Sequence, residues 1–278
     1  MRLSEMNQIT ENAAALLEHV RKTVPLVHNI TNYVTVNDVA NAVLAIGASP
    51  IMADDMEEAA DIAAISSALV LNMGTLNKRT VTSMLAAGKR ANELGIPVVF
   101  DPVGAGASAL RNKTAEKITE QVKLSVIRGN LSELSFIAGL GASTKGVDSA
   151  IEDEKNDAVS VAKTTAQKLC CIAALTGKVD VITDGARVVQ IRNGHPMLSK
   201  VTGTGCMATA LVGAFAGACG GDFLTAAAAG VCSMGVAGEL AHEAAGAKGT
   251  GSFHVAIIDA LSMLDAALMK ERARFNEA

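Results

Sequence analysis

Val201-Thr202-Gly203-Thr204-Gly205-Cys206-Met207-Ala208-Thr209-Ala210 carries a Gly-x-Gly turn straight into an uncharged, alanine-rich helix. Such a junction aims several backbone N–H groups and the positive end of a helix dipole at one point, where an anion is held. Gly203 and Gly205 let a ligand approach the backbone closely, and Cys206 falls in the first helical turn, facing the same point. A helix start chosen only for tight packing has the same appearance, so the surrounding chain must decide between the two.

No charged residue occurs between Lys200 and Asp222, a length that raises the question of a membrane span. Repeated Gly and Ala make the segment only weakly hydrophobic, and its opening turn would leave backbone groups unpaired in lipid. A buried core helix is the expectation.

The rest of the composition agrees. Of 278 residues half are hydrophobic, yet there is no Trp, one Tyr and six Phe. A core of Ala, Val, Ile, Leu and Met suits closely packed helices on a sheet better than a β-sandwich. The net charge is −4 with a pI near 5.8, and no Lys/Arg cluster or aromatic-basic interleaving occurs, which argues against nucleic acid and for a small-molecule partner. The five cysteines, at 170, 171, 206, 219 and 232, form no C-x-x-C pair, and His195 is not at zinc spacing from them. Neither a disulfide framework nor a zinc site is indicated, and the thiols suit the cytoplasm. Glu5, Glu11 and Glu18 interrupt the N-terminal stretch, which therefore lacks the apolar run of a signal peptide. With no internal repeat, low-complexity tract or long linker, a single domain over 1–278 is expected.

Helix and strand alternate along the chain. The spacing predicts a helix over 7–22, a strand over 25–28, a helix over 34–46, a strand ending at Met52 and a helix through Ile65. It goes on to a strand over 68–72, a helix over 79–94 closed by Gly95, and strands over 97–100 and 124–127. Residues 146–155, charged and small, read as a surface loop. A helix over 158–168 and a strand over 171–176 follow, then antiparallel hairpins over 179–183 and 187–192, turning at Asp184-Gly185 and Asn193-Gly194. Helices over 205–219, 222–245 and 252–272 complete the chain.

Polar residues gather where these strands end, at the edge of an open α/β sheet that binds ligands. Asn29 and Asn32 either read a small polar heterocycle or close an Asx-turn before the next helix. Met52 is either core or the pliable wall of a ring pocket. A four-residue apolar run delivers Asp101 to the edge and Pro102 stops the strand, exposing a carboxylate that caps the next turn or faces magnesium and phosphate. Asn130 and Glu133 have capping-box spacing, but Arg128 beside them completes the cation, amide and carboxylate set that a nucleotide's phosphates and Mg²⁺ require.

Asp101-Pro102-Val103-Gly104-Ala105-Gly106, Arg128-Gly129-Asn130 with Glu133, Leu175-Thr176-Gly177 and Val201 to Cys206, in this order, resemble the ribokinase-like superfamily. His28-Asn29-Ile30-Thr31-Asn32, Gly47-Ala48-Ser49-Pro50 with Met52, and Cys206 itself are more closely similar to the hydroxyethylthiazole kinase family, over nearly the whole chain. The resemblance implies a three-layer α/β sandwich, its mostly parallel central sheet flanked by helices on both faces. It implies transfer of a phosphoryl group from ATP to the primary hydroxyl of a thiazole alcohol, for thiamine biosynthesis, by a homotrimer. Gly203, Gly205 and Cys206 would then form the anion hole around the transferring group, and Arg128, Thr176 and Asn130 would contact ATP. Asp101 and Glu133 would organise Mg²⁺, partly through water, and Met52, Asn32 and Gly203 would line the thiazole pocket.

Two positions depart from the pattern. The wider superfamily places Asp where Cys206 stands, and the thiazole branch is the exception. A thiol at a helix N-terminus is partly ionised, which would let Cys206 accept the hydroxyl proton. Thr250 stands where the family has Pro.

Other readings remain open: a kinase of another heterocyclic alcohol such as a hydroxymethylpyrimidine, or a non-catalytic binding protein. A cysteine hydrolase would need His28, His195, His242 or His254 beside Cys206. A nicotinamide oxidoreductase built on Gly104-x-Gly106 ranks lower, because Pro102 intrudes and no glycine follows at 109.

Overall fold

The computed structural model describes residues 3–140 and 151–276. The chain alternates through α1 (Leu3–Thr23), β1 (Leu26–Ile30), α2 (Val36–Ile46), β2 (Ser49–Ile51), α3 (Ala59–Ile65), β3 (Ala68–Asn72), α4 (Lys78–Glu93), β4 (Val98–Asp101), α5 (Ala109–Gln121), β5 (Val126–Gly129) and α6 (Leu131–Ala138). Beyond the undescribed segment come α7 (Ile151–Leu169), β6 (Ile172–Leu175), β7 (Asp180–Thr183) and β8 (Val188–Ile191). Helices α8 (Thr204–Ala216), α9 (Phe223–Ala245), α10 (Thr250–Met263) and α11 (Ala266–Arg272) and the short β9 (Phe275–Asn276) close the chain.

Among the described residues the strands form one sheet in the order β2-β1-β3-β4-β5-β6-β7-β8-β9. Strands β1 to β6 run parallel, as helical crossovers require, and β7, β8 and β9 continue antiparallel. The central parallel strands β3, β4 and β6 are buried throughout and mostly apolar, because both their faces are covered. Val27, Val70, Val99 and Val126 point to one face, into a core built with α1, α2 and α8 to α11. Leu69, Leu71, Val98, Phe100 and Ile127 point to the other, against α3 to α7. The order turns back between β1 and β3, and at such a switch point the crevice beyond the strands' carboxyl ends opens to ligands.

Helix α8 is the core helix that its composition predicts, buried from Met207 to Ala216. Small residues let it lie close to its neighbours. A Cβ on Gly213 would meet Val70 Cγ2 at 2.4 Å, and one on Gly230 of α9 would meet the Val212 backbone nitrogen at 2.6 Å. Helix α9 is long and apolar enough to cross a membrane by length and composition, but 83% of its apolar window is packed inside the protein.

Four expectations need correction. Asn193-Gly194 does not turn a second hairpin: it leads into a 3-10 turn over Pro196–Lys200, and β8 pairs instead with β9. Of the predicted loop over 146–155, residues 146–150 lie outside the described residues, and 151–155 belong to the first turns of α7. The expected helix over 252–272 is two helices bent by 116°. Leu264 turns extended and Asp265 starts a new helix, its Oδ1 accepting the Leu268 N–H at 2.8 Å. Helix α5 was not anticipated: only Thr114, Ala115 and Ile118 reach the core, an apolar stripe too thin to announce itself. Thr250 opens α10 at the first helical position, where Pro is also at home, so its departure from the family pattern leaves the helix start intact.

Candidate active site

Polar side chains at the ends of β1, β3, β4 and β5 meet the first turn of α8. Gly203 is the residue before that helix, at φ +87°, and no side chain caps the free N–H groups behind it. The left-handed backbone favours glycine, and so does the space: a Cβ at 203 would sit 2.7 Å from Thr35 Cγ2. A Cβ at Gly205 would sit 2.8 Å from Arg128 Nη1. The missing side chain therefore admits a guanidinium against the helix start.

A cation at the positive end of a helix dipole is unfavourable unless an anion offsets both. Within the protein the offset is Asp101, whose Oδ2 lies 3.6 Å from Arg128 Nη1. Arg128 Nε is buried without a hydrogen-bond partner. One carboxylate faces a guanidinium and a helix terminus together, and the place retains capacity for further negative charge.

Asp101 is not the exposed carboxylate that its position before Pro102 suggests. It is completely buried under α8, and burial pushes its carboxyl up to about 6, against the opposing pull of Arg128 and the Thr209 hydroxyl. Thr209 Oγ1 donates to Asp101 Oδ2 at 2.6 Å, and Asn72 Nδ2 donates to the same oxygen at 3.1 Å. Oδ1 has no partner. The chain of contacts continues from Asn72 Oδ1 to Asn32 Nδ2 at 3.1 Å, and from Asn32 Nδ2 to Cys206 Sγ at 3.3 Å. Neither Asn72 nor Thr209 was foreseen as part of the site. For Asn72 a signal existed, a polar residue ending an apolar strand run; for Thr209, inside an apolar helix, none did.

Asn130 and Glu133 form the capping box that their spacing allows. Asn130 Oδ1 accepts the Glu133 N–H at 2.9 Å, and Glu133 Oε2 accepts the Asn130 N–H at 2.8 Å. Glu133 Oε1 takes the Gly104 N–H at 2.8 Å, which ties the glycine loop after β4 to α6. Thr176 follows β6 at the same edge, its N–H donating to Gly129 O at 2.9 Å. Met52, just past β2, is half-buried and packs against the core on the α1 and α8 side of the sheet.

Asn29 does not join Asn32. Its side chain is buried, and Nδ2 donates to Val27 O at 2.9 Å. His28 is buried as well, with Nε2 2.6 Å from Ala53 O. His254 pairs with Asp38, and His195 stacks on His242. None of these contacts involves Cys206, so the hydrolase reading has no base to orient. A second concavity, at the strands' amino ends, is lined by Ile96, Leu124, Cys171 and Asp184 and shares no residue with this site.

A glycine turn opening a helix beyond the carboxyl ends of this mostly parallel sheet, with helices on both faces, is the architecture of a ribokinase-like kinase. The fold is shared at low identity by a ribokinase-like protein of Enterococcus faecalis, with TM-score 0.59 at 12% identity over 89% of this chain and 87% of that one. The model of the hydroxyethylthiazole kinase family matches residues 17–267. A hydroxyethylthiazole kinase of Ruminiclostridium cellulolyticum is 63% identical over 98% of this chain and all of that one, and one of Clostridium beijerinckii is 59% identical over 98% and 99%. The solved structure of a hydroxyethylthiazole kinase protein from Pyrococcus horikoshii superposes with TM-score 0.87, at 38% identity over 96% of this chain and 98% of that one. The chain belongs to the hydroxyethylthiazole kinase family.

Proposed function

We propose that this protein transfers the γ-phosphoryl group of ATP to the primary hydroxyl of 4-methyl-5-(2-hydroxyethyl)thiazole, supplying a phosphate ester to thiamine synthesis in the cytoplasm. Family membership supports the reaction. The observation that carries the placement of the phosphates is the Arg128 guanidinium seated against the uncapped start of α8 at Gly205. In this reading the N–H groups after Gly203 and the Arg128 side chain hold the transferring phosphoryl group. Thr176 and Asn130 contact the rest of the nucleotide, and Met52, Asn32 and Gly203 border the thiazole.

The alcohol oxygen bonds to Pγ as the bond from Pγ to the β,γ-bridging oxygen breaks, and ADP leaves with that electron pair. The hydroxyl proton passes to Cys206 Sγ. Positioning and charge neutralisation supply most of the catalysis in such transfers, so a weak acceptor suffices. The donor set fits Mg²⁺ in part: Asp101 keeps a buried oxygen without a partner, whereas each Glu133 oxygen already accepts a backbone N–H. Asp101 would hold the ion and Glu133 would reach it through water, which matches the habit of Mg²⁺ to keep several waters. When bound, the ion neutralises charge on the phosphates.

The test is ADP release with a panel of alcohols. Turnover is expected with the thiazole alcohol and not with ribose, since the amide and apolar groups assigned to the substrate lack carboxylates to bind a sugar's hydroxyls. Equal activity on ribose, or none on the thiazole alcohol, would refute the substrate assignment.

A further inference from the structure

Asn72 stands between the two halves of the site. Its Oδ1 accepts the backbone N–H of Gly74 at 2.9 Å as well as Asn32 Nδ2 at 3.1 Å, while its Nδ2 donates to Asp101 Oδ2 at 3.1 Å. A peptide N–H can only donate. The Gly74 contact therefore fixes which end of Asn72 is oxygen, whatever the protonation of Asp101. Asn32 must then turn its Nδ2 toward Asn72, and its Oδ1 accepts the Thr35 hydroxyl at 3.2 Å. The second Nδ2 hydrogen of Asn32 falls to Cys206 Sγ at 3.3 Å.

The loop that starts this chain is firmly held. A Cβ on Gly74 would lie 2.3 Å from Asn32 Nδ2, so the absence of a side chain is what brings its N–H and the two amides together. Arg111, half-buried, donates to Met73 O at 2.6 Å, to Gly74 O at 2.5 Å and to Val103 O at 2.5 Å, clamping the loop after β3 to the loop after β4.

We infer that Asn72 is a positioning residue: it sets the direction of an amide chain that makes the Cys206 sulfur a hydrogen-bond acceptor and not a donor. With Asn32 reversed, its oxygen would take the S–H of Cys206 and keep the thiol proton in place. In the direction observed, Asn32 spends a hydrogen on the sulfur. The inference rests on the proposal that Cys206 receives the hydroxyl proton, and it assigns the arrangement of that acceptor to a residue that touches neither the alcohol nor the sulfur.

The experiment is a double-mutant cycle on the full chain, comparing the parent, Asn72→Leu, Cys206→Ala and the double variant, with ATP and the thiazole alcohol varied separately. Asn72→Leu is expected to lower kcat roughly ten-fold, a size normal for coupled neighbours, and to change the KM for ATP by less than about two-fold. In the Cys206→Ala background the same substitution should change kcat by less than about two-fold, because the group it arranges is gone. An equal loss in both backgrounds overturns the inference and assigns the effect of Asn72 to its contact with Asp101 or to the fold. If Cys206→Ala alone keeps the parental kcat, the proton-acceptor proposal falls and takes this inference with it, so the two failures are distinguishable. Should thermal melts show Asn72→Leu unfolded, Asn72→Ala, which removes the same amide without adding a branched side chain, takes its place in the cycle and must show the same dependence on Cys206.

Discussion

Asp180 is a carboxyl group in the wrong solvent. It is buried at the start of β7, and burial pushes it up to about 7, against the pull of the Gly177 N–H and of the Arg128 charge. Its Oδ1 accepts that N–H at 2.9 Å, an arrangement an amide reproduces. Because the folded value lies above the unfolded one, the folded chain keeps the proton longer, and stability falls as pH rises from about 4 through about 7. Asp180→Asn removes this dependence. Its melting temperature should nearly match the parent at pH 4 and exceed it by several degrees at pH 8; an equal difference at both pH values would show that the carboxyl is not protonated in the fold. The same conflict between burial and charge explains what was legible at this scale. Asp101, Arg128 and Asn32 could be read from the sequence because a polar residue ending an apolar strand run is conspicuous. Burial of Asp101 could not be read, nor could Thr209, since their contact joins β4 to α8 across 108 residues of chain.

Among the elements, α8 is both the core of one layer and the wall of the site, so its height above the sheet sets the geometry of the chemistry. Gly230 of α9 controls how close α9 lies to α8, because an added Cβ would meet Val212 N at 2.6 Å and Val212 Cα at 2.7 Å, backbone atoms that no rotamer change can remove. Gly230→Ala should therefore cost about 1–3 kcal/mol as overpacking does, and should also lower kcat, because α8 moves as a unit. Thermal melts and initial rates on one preparation check both, and an unchanged melting temperature would contradict the close approach. Element types were legible wherever periodicity was strong, as in the apolar strands and in the hairpin between β7 and β8. The break at Leu264 was hidden because apolar spacing carries on through it. Only the cap formed by Asp265, once its partner Leu268 N is known, explains why the helix ends.

For the whole molecule, large apolar side chains stand in solvent on the side where α2 begins and the loop after β2 runs. Tyr33 is 77% exposed, Val34 55% and Met56 54%. Their loops carry Asn32 and Met52, the proposed thiazole contacts. Self-association that covers these residues fits the trimer implied by family resemblance, and sedimentation equilibrium should give three times the chain mass of 28.4 kDa. A monomer at micromolar concentration would exclude the trimer. The layers themselves were legible from alternation of helix and strand. The order β2-β1-β3, which creates the crevice, was not, because nothing in the residues of a parallel strand names its neighbour.

The covering of that sheet has a consequence for how the chain is made. Strands β1, β3 and β4 leave the ribosome early, but the helix that covers Val27 and Val70 is α8. About a hundred residues separate Asp101 from Thr204, and at ~5–20 residues per second the bare face waits for roughly 5–20 s. During that interval the nascent protein carries a row of valines in water. Its yield should be set by how fast translation reaches α8 and by what shields the face until then.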